Sequence, residues 1–332
     1  MKIHRRNIKY KYRRIGVGIT VFIAALSLVL MNLPRAQASQ LNKKYSFIKT
    51  NYTVPTSNVA WVAPNGNDTS GNGSEGSPYA TFKKALSSIS NGGTVVAKSG
   101  IYREPHFFIS GDNVTIQAAP GAEVWLKGSD VVNSWTSENG IWKTTGNYHN
   151  FCHVCTTNAN PSVEGTAAYP EQVFINDEPL KQVKTKAEVT PGSNTFYVED
   201  NTPTTLKTPN NNADGYNIGQ QDAISYYIGK NPASGITEIS ERARAFTSTG
   251  KNVSVKGINV AQYSPVQVWG FKDPYDPAAD RGVYSGPTAV SINGSGSLVQ
   301  DMIVTQSASQ GLFFNKAESS TARGVKAVDN GG

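Results

Sequence analysis

Three segments of this 332-residue chain resemble one another: GKNVSVKGINVAQYSPVQVWG, GSGSLVQDMIVTQSASQGLFF and SSTARGVKAVDNGG. Aligning Gly257, Asp301 and Gly324 gives spacings of 44 and 23 residues, which read as two periods and one period of about 22. The runs TAVSI (288–292) and GLFFN (311–315) lie 23 apart as well. Within each period the β-runs last only a few residues before Gly, Asn, Asp or Pro stops them. NGGTVVAKSGIYRE is typical, with a strand over Thr94 to Ala97 and a turn at Lys98-Ser99-Gly100. A chain built this way turns several corners per repeat. Residues that tolerate a left-handed backbone mark the corners, and apolar side chains stack inward from one repeat to the next. The pattern predicts an all-β fold, a parallel β-solenoid, over a β-sandwich with accidental self-similarity. Asp301 and Asp329 fall at corners, where Asp favours turns, and are expected to be structural.

One segment has a different period. In SPYATFKKALSSIS the residues Phe82, Ala85, Leu86 and Ile89 recur at helical spacing. Ser77 is positioned to N-cap this helix, Pro78 suits its first position, and Asn91-Gly92 would end it. A solenoid has two open ends that invite edge-to-edge pairing. An amphipathic helix across the first coil would close one of them.

The N-terminus combines a basic stretch, an apolar run of about nineteen residues and the small-x-small pattern Ala36-Gln37-Ala38. Together these form an export signal with cleavage expected after Ala38; the alternative is an uncleaved membrane anchor. Residues 1–38 carry eight Lys and Arg and no acidic residue. Without them the formal net charge falls from +7 to −1. The basic balance therefore belongs to the leader and gives no reason to expect nucleic-acid binding. The protein is expected to be secreted or held at the extracellular surface. Residues 39–58 are polar and read as a tether. No Walker loop or dinucleotide fingerprint is present.

The stretch WVAPNGNDTSGNGSEGSPYATFKKALSSISNGGTVVAKSGIYRE then resembles the start of the pectate-lyase-like right-handed parallel β-helix proteins. In that family a V-x-P-x-G-x-D loop precedes a capping helix, and the first coil ends in G-x-Y-R-E. NVTIQAAPGAEVWLKGSDVVNSWTSENGIWK and PEQVFINDEPLKQV continue the likeness. The resemblance implies a right-handed parallel β-helix over 59–332 with an N-terminal capping helix and an irregular β insertion over about 140–235. It also implies a carbohydrate-active, monomeric protein with a polysaccharide partner. The family includes lyases, glycoside hydrolases, epimerases and proteins without activity, so fold alone does not choose among them. A lyase acting on an acidic glycan leads. The alternatives are a hydrolase, or a non-catalytic glycan-binding or stalk module. The chain stops at VKAVDNGG inside a repeat, which reads as an incomplete set of C-terminal coils.

Two clusters carry potential chemistry. The loop VQVWGFKDPYDPAADRGVYSG (266–286) interrupts the repeat beside one sheet. Trp269, Tyr275 and Tyr284 can stack on sugar faces. By analogy with the family's lyases, Asp273, Asp276 and Asp280 are candidate Ca2+ ligands and Lys272 or Arg281 the candidate base; a hydrolase would instead use two of the same Asp residues. The second cluster, HNFCHVC, places His149, Cys152, His153 and Cys155 within seven residues. Cys152 and Cys155 could pair, bind a metal with the histidines or remain free.

Overall fold

The computed structural model describes residues 40–46, 48–149, 151, 170–200, 221–265 and 288–331. Three parallel sheets carry most of it. The first contains, in spatial order, Val59–Val62, Thr94–Ala97, Thr115–Ala118, Ser254–Lys256, Leu298–Gln300 and Thr321–Arg323. The second contains Gly100–Tyr102, Val124–Lys127, Ile258–Ala261, Ile303–Thr305 and Lys326–Val328. The third contains Phe107–Ile109, Phe246–Ser248, Thr288–Ile292 and Gln310–Phe314. Spatial order equals chain order in each. From Phe107 onward every pass visits the third, first and second sheets in that sequence.

The strands are short because the corners come soon. Gly257, Asp301 and Gly324 have φ of +68°, +51° and +64°, and each opens the corner from the first sheet to the second, which is one residue long at Gly257 and two residues long at Asp301 and Gly324. Their predecessors Lys256, Gln300 and Arg323 are paired in register, so the three corners stack. Inside, side chains align rung over rung: Val95, Ile116, Val255 and Val299 in the first sheet, and Tyr102, Leu126, Val260 and Val304 in the second. In the third sheet Phe107 lies opposite Phe246 with ring centroids 5.6 Å apart.

Two spacings differ from the sequence reading. Ser254–Lys256 pairs directly with Leu298–Gln300, so the 44-residue interval is one pass with a long excursion rather than two periods. Thr288–Ile292 and Gln310–Phe314 pair at an offset of 22, not 23. An offset of 23 would set fully buried Val290 opposite Phe313, which is 38% exposed. A one-residue slip exchanges the faces of a strand, and burial of Val290 and Ile292 fixes the register.

Helix α1 (Gln40–Tyr45) lies in the stretch read as a tether. Leu41 is fully buried with Trp125, Ala261 and Ile303, outward residues of the second sheet. The Tyr45 hydroxyl donates to Asp329 Oδ2 (2.6 Å) and the Tyr52 hydroxyl to Asp301 Oδ2 (2.5 Å). Both corner aspartates therefore have structural partners.

Helix α2 (Phe82–Ser87) is shorter than expected, with Thr81 rather than Ser77 as its N-cap. The reason is lateral. Tyr79 exchanges main-chain hydrogen bonds with Trp61 and Ala63, which holds 77–79 extended beside the first strand. The Thr81 hydroxyl accepts from Lys84 N (3.1 Å) and donates to Asp68 Oδ2 (2.7 Å). Asp68 Oδ1 accepts from Ala80 N and Thr81 N, while Glu104 accepts from Phe82 N (3.0 Å) and Lys83 N (3.4 Å). The Asp of the first motif and the Glu of the second thus satisfy N–H groups at one helix start. At the other end the last helical residue is Ser87, so Asn91-Gly92 belongs to a later turn.

Between Lys127 and Phe246 the chain builds two further sheets. One orders Glu178–Pro179, Val173–Ile175, Thr237–Ser240 and Ser129–Val131; the other Lys181–Gln182, Thr195–Asp200, Gln221–Ile228, Ile141–His149 and Thr136–Glu138. Their pairings are antiparallel except one. They have a separate core that includes Val173, Phe196, Tyr226 and Ile239. The insertion thus begins earlier and ends later than the sequence reading placed it. Among the described residues, which do not include 1–39, no helix is long and apolar enough to cross a membrane.

Candidate functional site

The insert is fastened to the second sheet by buried charges. Lys127 Nζ contacts Asp177 Oδ1 (2.5 Å) and Glu238 Oε2 (2.6 Å), with the Lys127 and Glu238 side chains each 2% exposed. Arg103 ion-pairs with Glu238 and donates through Nε to Ser129 O (2.8 Å). Gln262 Nε2 and Gln306 Nε2 donate to Asp177 Oδ1 (3.0 Å) and Asp177 O (2.6 Å). Two cations match two carboxylates here, so the group is internally neutral and reads as structural.

Three residues beyond Glu238 the situation changes. Glu241 follows the strand Thr237–Ser240, where the chain returns from the insert. Its Oε2 accepts the main-chain N–H of His149 (3.0 Å). Its Oε1 is buried and has no hydrogen-bond partner among the described residues. Burial pushes this carboxyl up to about 7, aided by Asp130 and opposed by the His149 N–H bond and Arg242. Arg242 makes a two-pronged pair with Asp130 (2.9 and 3.1 Å). Glu241, Arg242, Ala243 and Arg244 line a pocket of about 190 Å³ with Pro105 and His106. That is below the roughly 300 Å³ at which drug-sized pockets begin, so it suits one ring or one charged group. His106 Nε2 lies 3.0 Å from the Thr247 hydroxyl, and its ring packs on Phe108.

Trp269, Lys272, Asp273, Tyr275, Asp276, Asp280, Arg281 and Tyr284 lie outside the described residues, as do Cys152, His153 and Cys155. The described ends of both segments meet at this pocket. Ser264 N donates to Arg242 O and Ala245 N to Ala289 O, so the described residues on either side of 266–287 lie beside 242–245. The segment 152–169 leaves just after His149, which holds Glu241, and returns at Gln172, whose carbonyl accepts Ser240 N. Of the second cluster, His149 is described. It is 5% exposed, and burial lowers its pKa to about 4, which keeps the ring neutral. Among the described residues no three His, Cys, Asp or Glu are placed to hold a metal ion.

Sequence reasoning missed Glu241, Arg242, Arg244 and His106. A signal existed for the first three. ERARAF packs three charges directly before a buried strand, at the return from the insert. What the sequence could not supply was the contact of His149 with Glu241, 92 residues apart.

The chain has a pectate-lyase-like fold. It is similar in structure to XylC, solved in complex with xylose, with a TM-score of 0.54 and 19% identity over 76% of this chain and 41% of that one. The chain thus spans less than half the length of XylC. Two other similar structures are a glycoside hydrolase (TM-score 0.46, 13% identity, 76% of this chain and 63% of that one) and pectate lyase Pel9A (TM-score 0.37, 13% identity, 81% and 39%). No family model and no curated protein matches the chain.

Proposed function

We propose that this is an exported protein that cleaves an acidic polysaccharide by β-elimination at the pocket around Glu241. On this reading the three parallel sheets form one right-handed solenoid, with α2 closing its first turn, and the leader is removed after Ala38. The observation that carries the reading is the composition of the pocket wall. Among the described residues it has one carboxyl, shifted up to about 7, and two guanidinium groups. Elimination at a uronate needs a group that takes the proton next to the carboxylate and a cation that offsets the carboxylate charge. Glu241 fits the first role, and the guanidinium groups of Arg242 and Arg244 in the same wall supply the positive charge for the second.

Hydrolysis commonly uses two carboxyls, and the raised pKa of Glu241 would suit the acid of such a pair. On that reading its partner is proposed to be Asp273, Asp276 or Asp280. In the elimination reading those three are proposed Ca2+ ligands, Lys272 or Arg281 an additional base, and Trp269, Tyr275 and Tyr284 sugar contacts.

The test is activity of the purified chain on pectate, alginate, hyaluronan and xylan, with and without calcium. Near-ultraviolet absorbance reports unsaturated ends, and a separate assay reports reducing sugar. Absorbance growth that Glu241→Gln abolishes is expected. Reducing ends without absorbance would replace elimination by hydrolysis. Silence on every substrate from folded protein would overturn the enzymatic reading.

A further inference from the structure

Lys127 ends the second-sheet strand Val124–Lys127, and alternation with the core residues Val124 and Leu126 turns its side chain outward, under the insert. Asp177 reaches it from the insert. With Asn176 it makes the two-residue turn of a hairpin in which Ile175 pairs with Glu178. Both turn residues have positive φ, +53° and +63°. The two side chains meet with Lys127 Nζ 2.5 Å from Asp177 Oδ1. Two further groups attend this contact. Both oxygens of Glu238 also touch Nζ, at 2.8 and 2.6 Å, and Arg103 pairs with the same carboxylate. Gln262 Nε2 donates to Asp177 Oδ1 (3.0 Å). The site is closed to water: Lys127, Asp177, Glu238 and Gln262 are all buried.

We propose that Lys127 and Asp177 condense in the folded chain to a side-chain amide, a self-formed cross-link between the second sheet and the insert, with Glu238 as the proton carrier. An ion pair alone would be served by one carboxylate. Here a nucleophile, an acyl carbon, a carboxylate touching the nucleophile and an N–H donor on the acyl oxygen converge, which are the parts an acyl transfer needs. Reacting atoms in near-attack contact are about 3–3.5 Å apart, and the Asp177 carboxyl carbon lies one bond beyond an oxygen already 2.5 Å from Nζ. Glu238 takes a proton from the ammonium, and the amine adds to the Asp177 carboxyl carbon. Gln262 holds the charge that develops on Oδ1. The C–Oδ2 bond breaks as Glu238 returns the proton. Of the three ammonium hydrogens one stays on the amide and two leave with Oδ2 as water, so no oxidant or co-reactant is required. The product replaces a buried ammonium and a buried carboxylate by a neutral amide, which relieves the desolvation of both charges. The bond joins positions 50 residues apart and keeps the insert on the second sheet even when the chain unfolds. The inference does not depend on the polysaccharide reading or on Glu241.

The test is mass spectrometry of the full chain, purified folded and then denatured. Its intact mass is expected to fall short of the sequence mass, counted from its measured N-terminus, by one water. Tryptic digestion should give a branched peptide in which Lys127, no longer a cleavage site, carries the segment containing Asp177. Lys127→Met and Asp177→Ala should show the full sequence mass. Glu238→Gln, shown to be folded by thermal unfolding, should show it as well. The unaltered chain decides the existence of the bond without the variants: full sequence mass and separate linear peptides would leave an ordinary ion pair and overturn the proposal. A missing water that persists in Lys127→Met would place the loss elsewhere in the chain and overturn it too. A cross-link formed at undiminished yield in folded Glu238→Gln would remove Glu238 as the proton carrier.

Discussion

The main-chain N–H of His149 donates to Glu241 Oε2 at 3.0 Å, joining the end of the insert's longest strand to the point where the chain returns to the parallel sheets. The carboxyl is therefore positioned by two elements that meet only in the folded chain. Glu241→Gln keeps the acceptor for this bond and removes the ionisable group. It should lower kcat at least a hundredfold with a small change in KM, because proton transfer is lost and binding is not. If Glu241 acts as the base, activity rises with pH through about 7, where the carboxyl ionises. A pH profile without that limb, or a Gln variant of undiminished kcat, would remove Glu241 from the reaction.

Glu104 and His149 make opposite contributions to pH-dependent stability. Burial pushes Glu104 up to about 7, against the two α2 N–H bonds that favour its ionised form. Between the ordinary carboxylate range and pH 7 the folded state retains a proton that the unfolded chain releases. Stability therefore falls as pH rises through that window, and Glu241 acts in the same direction. His149 is lowered to about 4, so the unfolded chain binds a proton that the folded state refuses, and stability rises with pH from about 4 to 6.5. Two descending contributions against one ascending leave a net loss between pH 5 and 7. Urea midpoints measured across that range should fall for the unaltered chain and fall less for Glu104→Gln, which still accepts from the helix. A midpoint that rises from pH 5 to 7 would contradict the direction of the Glu104 shift.

What the sequence revealed, and what it hid, follows from the range of the interactions. Thr94–Ala97 and the corners at Gly257, Asp301 and Gly324 are set by local backbone preference and side-chain alternation, and both were legible. The start of α2 was not, because Tyr79 is claimed by Trp61 and Ala63 across the fold, which leaves Ser77 outside the helix. The burial of Leu41 was hidden for a similar reason. Leu41 stands between polar neighbours with no period to betray it, and its partners come from three separate strands. The candidate pocket was hardest to see. Its charges are local in ERARAF, but their confinement depends on Gly128, Asp130 and His149 folding back over them.

Lys127 offers a test of how the insert is held. Replacing it by Met leaves Asp177 and Glu238 facing each other with Arg103 as the remaining cation. Breaking a buried pair from one side typically costs about 3–5 kcal/mol. Lys127→Met should therefore lower the unfolding midpoint strongly and expose the insert to protease before the parallel sheets. Adding Glu238→Gln should recover part of the loss, since one uncompensated carboxylate is removed. Equal stability of Lys127→Met and the unaltered chain would mean that the network contributes nothing to fastening the insert.

The stacked corners allow a comparison at nearly constant backbone geometry. Gly257 and Gly324 share positive φ, so Ala at either position carries the left-handed penalty of about 1–2 kcal/mol. Their surroundings differ. A Cβ at Gly257 would meet Thr50 Oγ1 at 3.0 Å and both Ala118 and Tyr52 at 3.2 Å, so it presses on the segment that runs along this corner. At Gly324 the close neighbour is the end of the Asp301 side chain, 2.5 Å away, which can rotate only by giving up its bond from Tyr52. Both substitutions should therefore destabilise by more than the backbone penalty alone, and both should loosen the strand of contacts around Tyr52. Asp301→Asn provides the control, because Asn tolerates the same backbone and still accepts from the Tyr52 hydroxyl. Hydrogen exchange over 48–58 should quicken in Gly257→Ala and Gly324→Ala and stay near the unaltered rate in Asp301→Asn. Faster exchange in all three, or in none, would separate the corner geometry from the docking of the N-terminal segment.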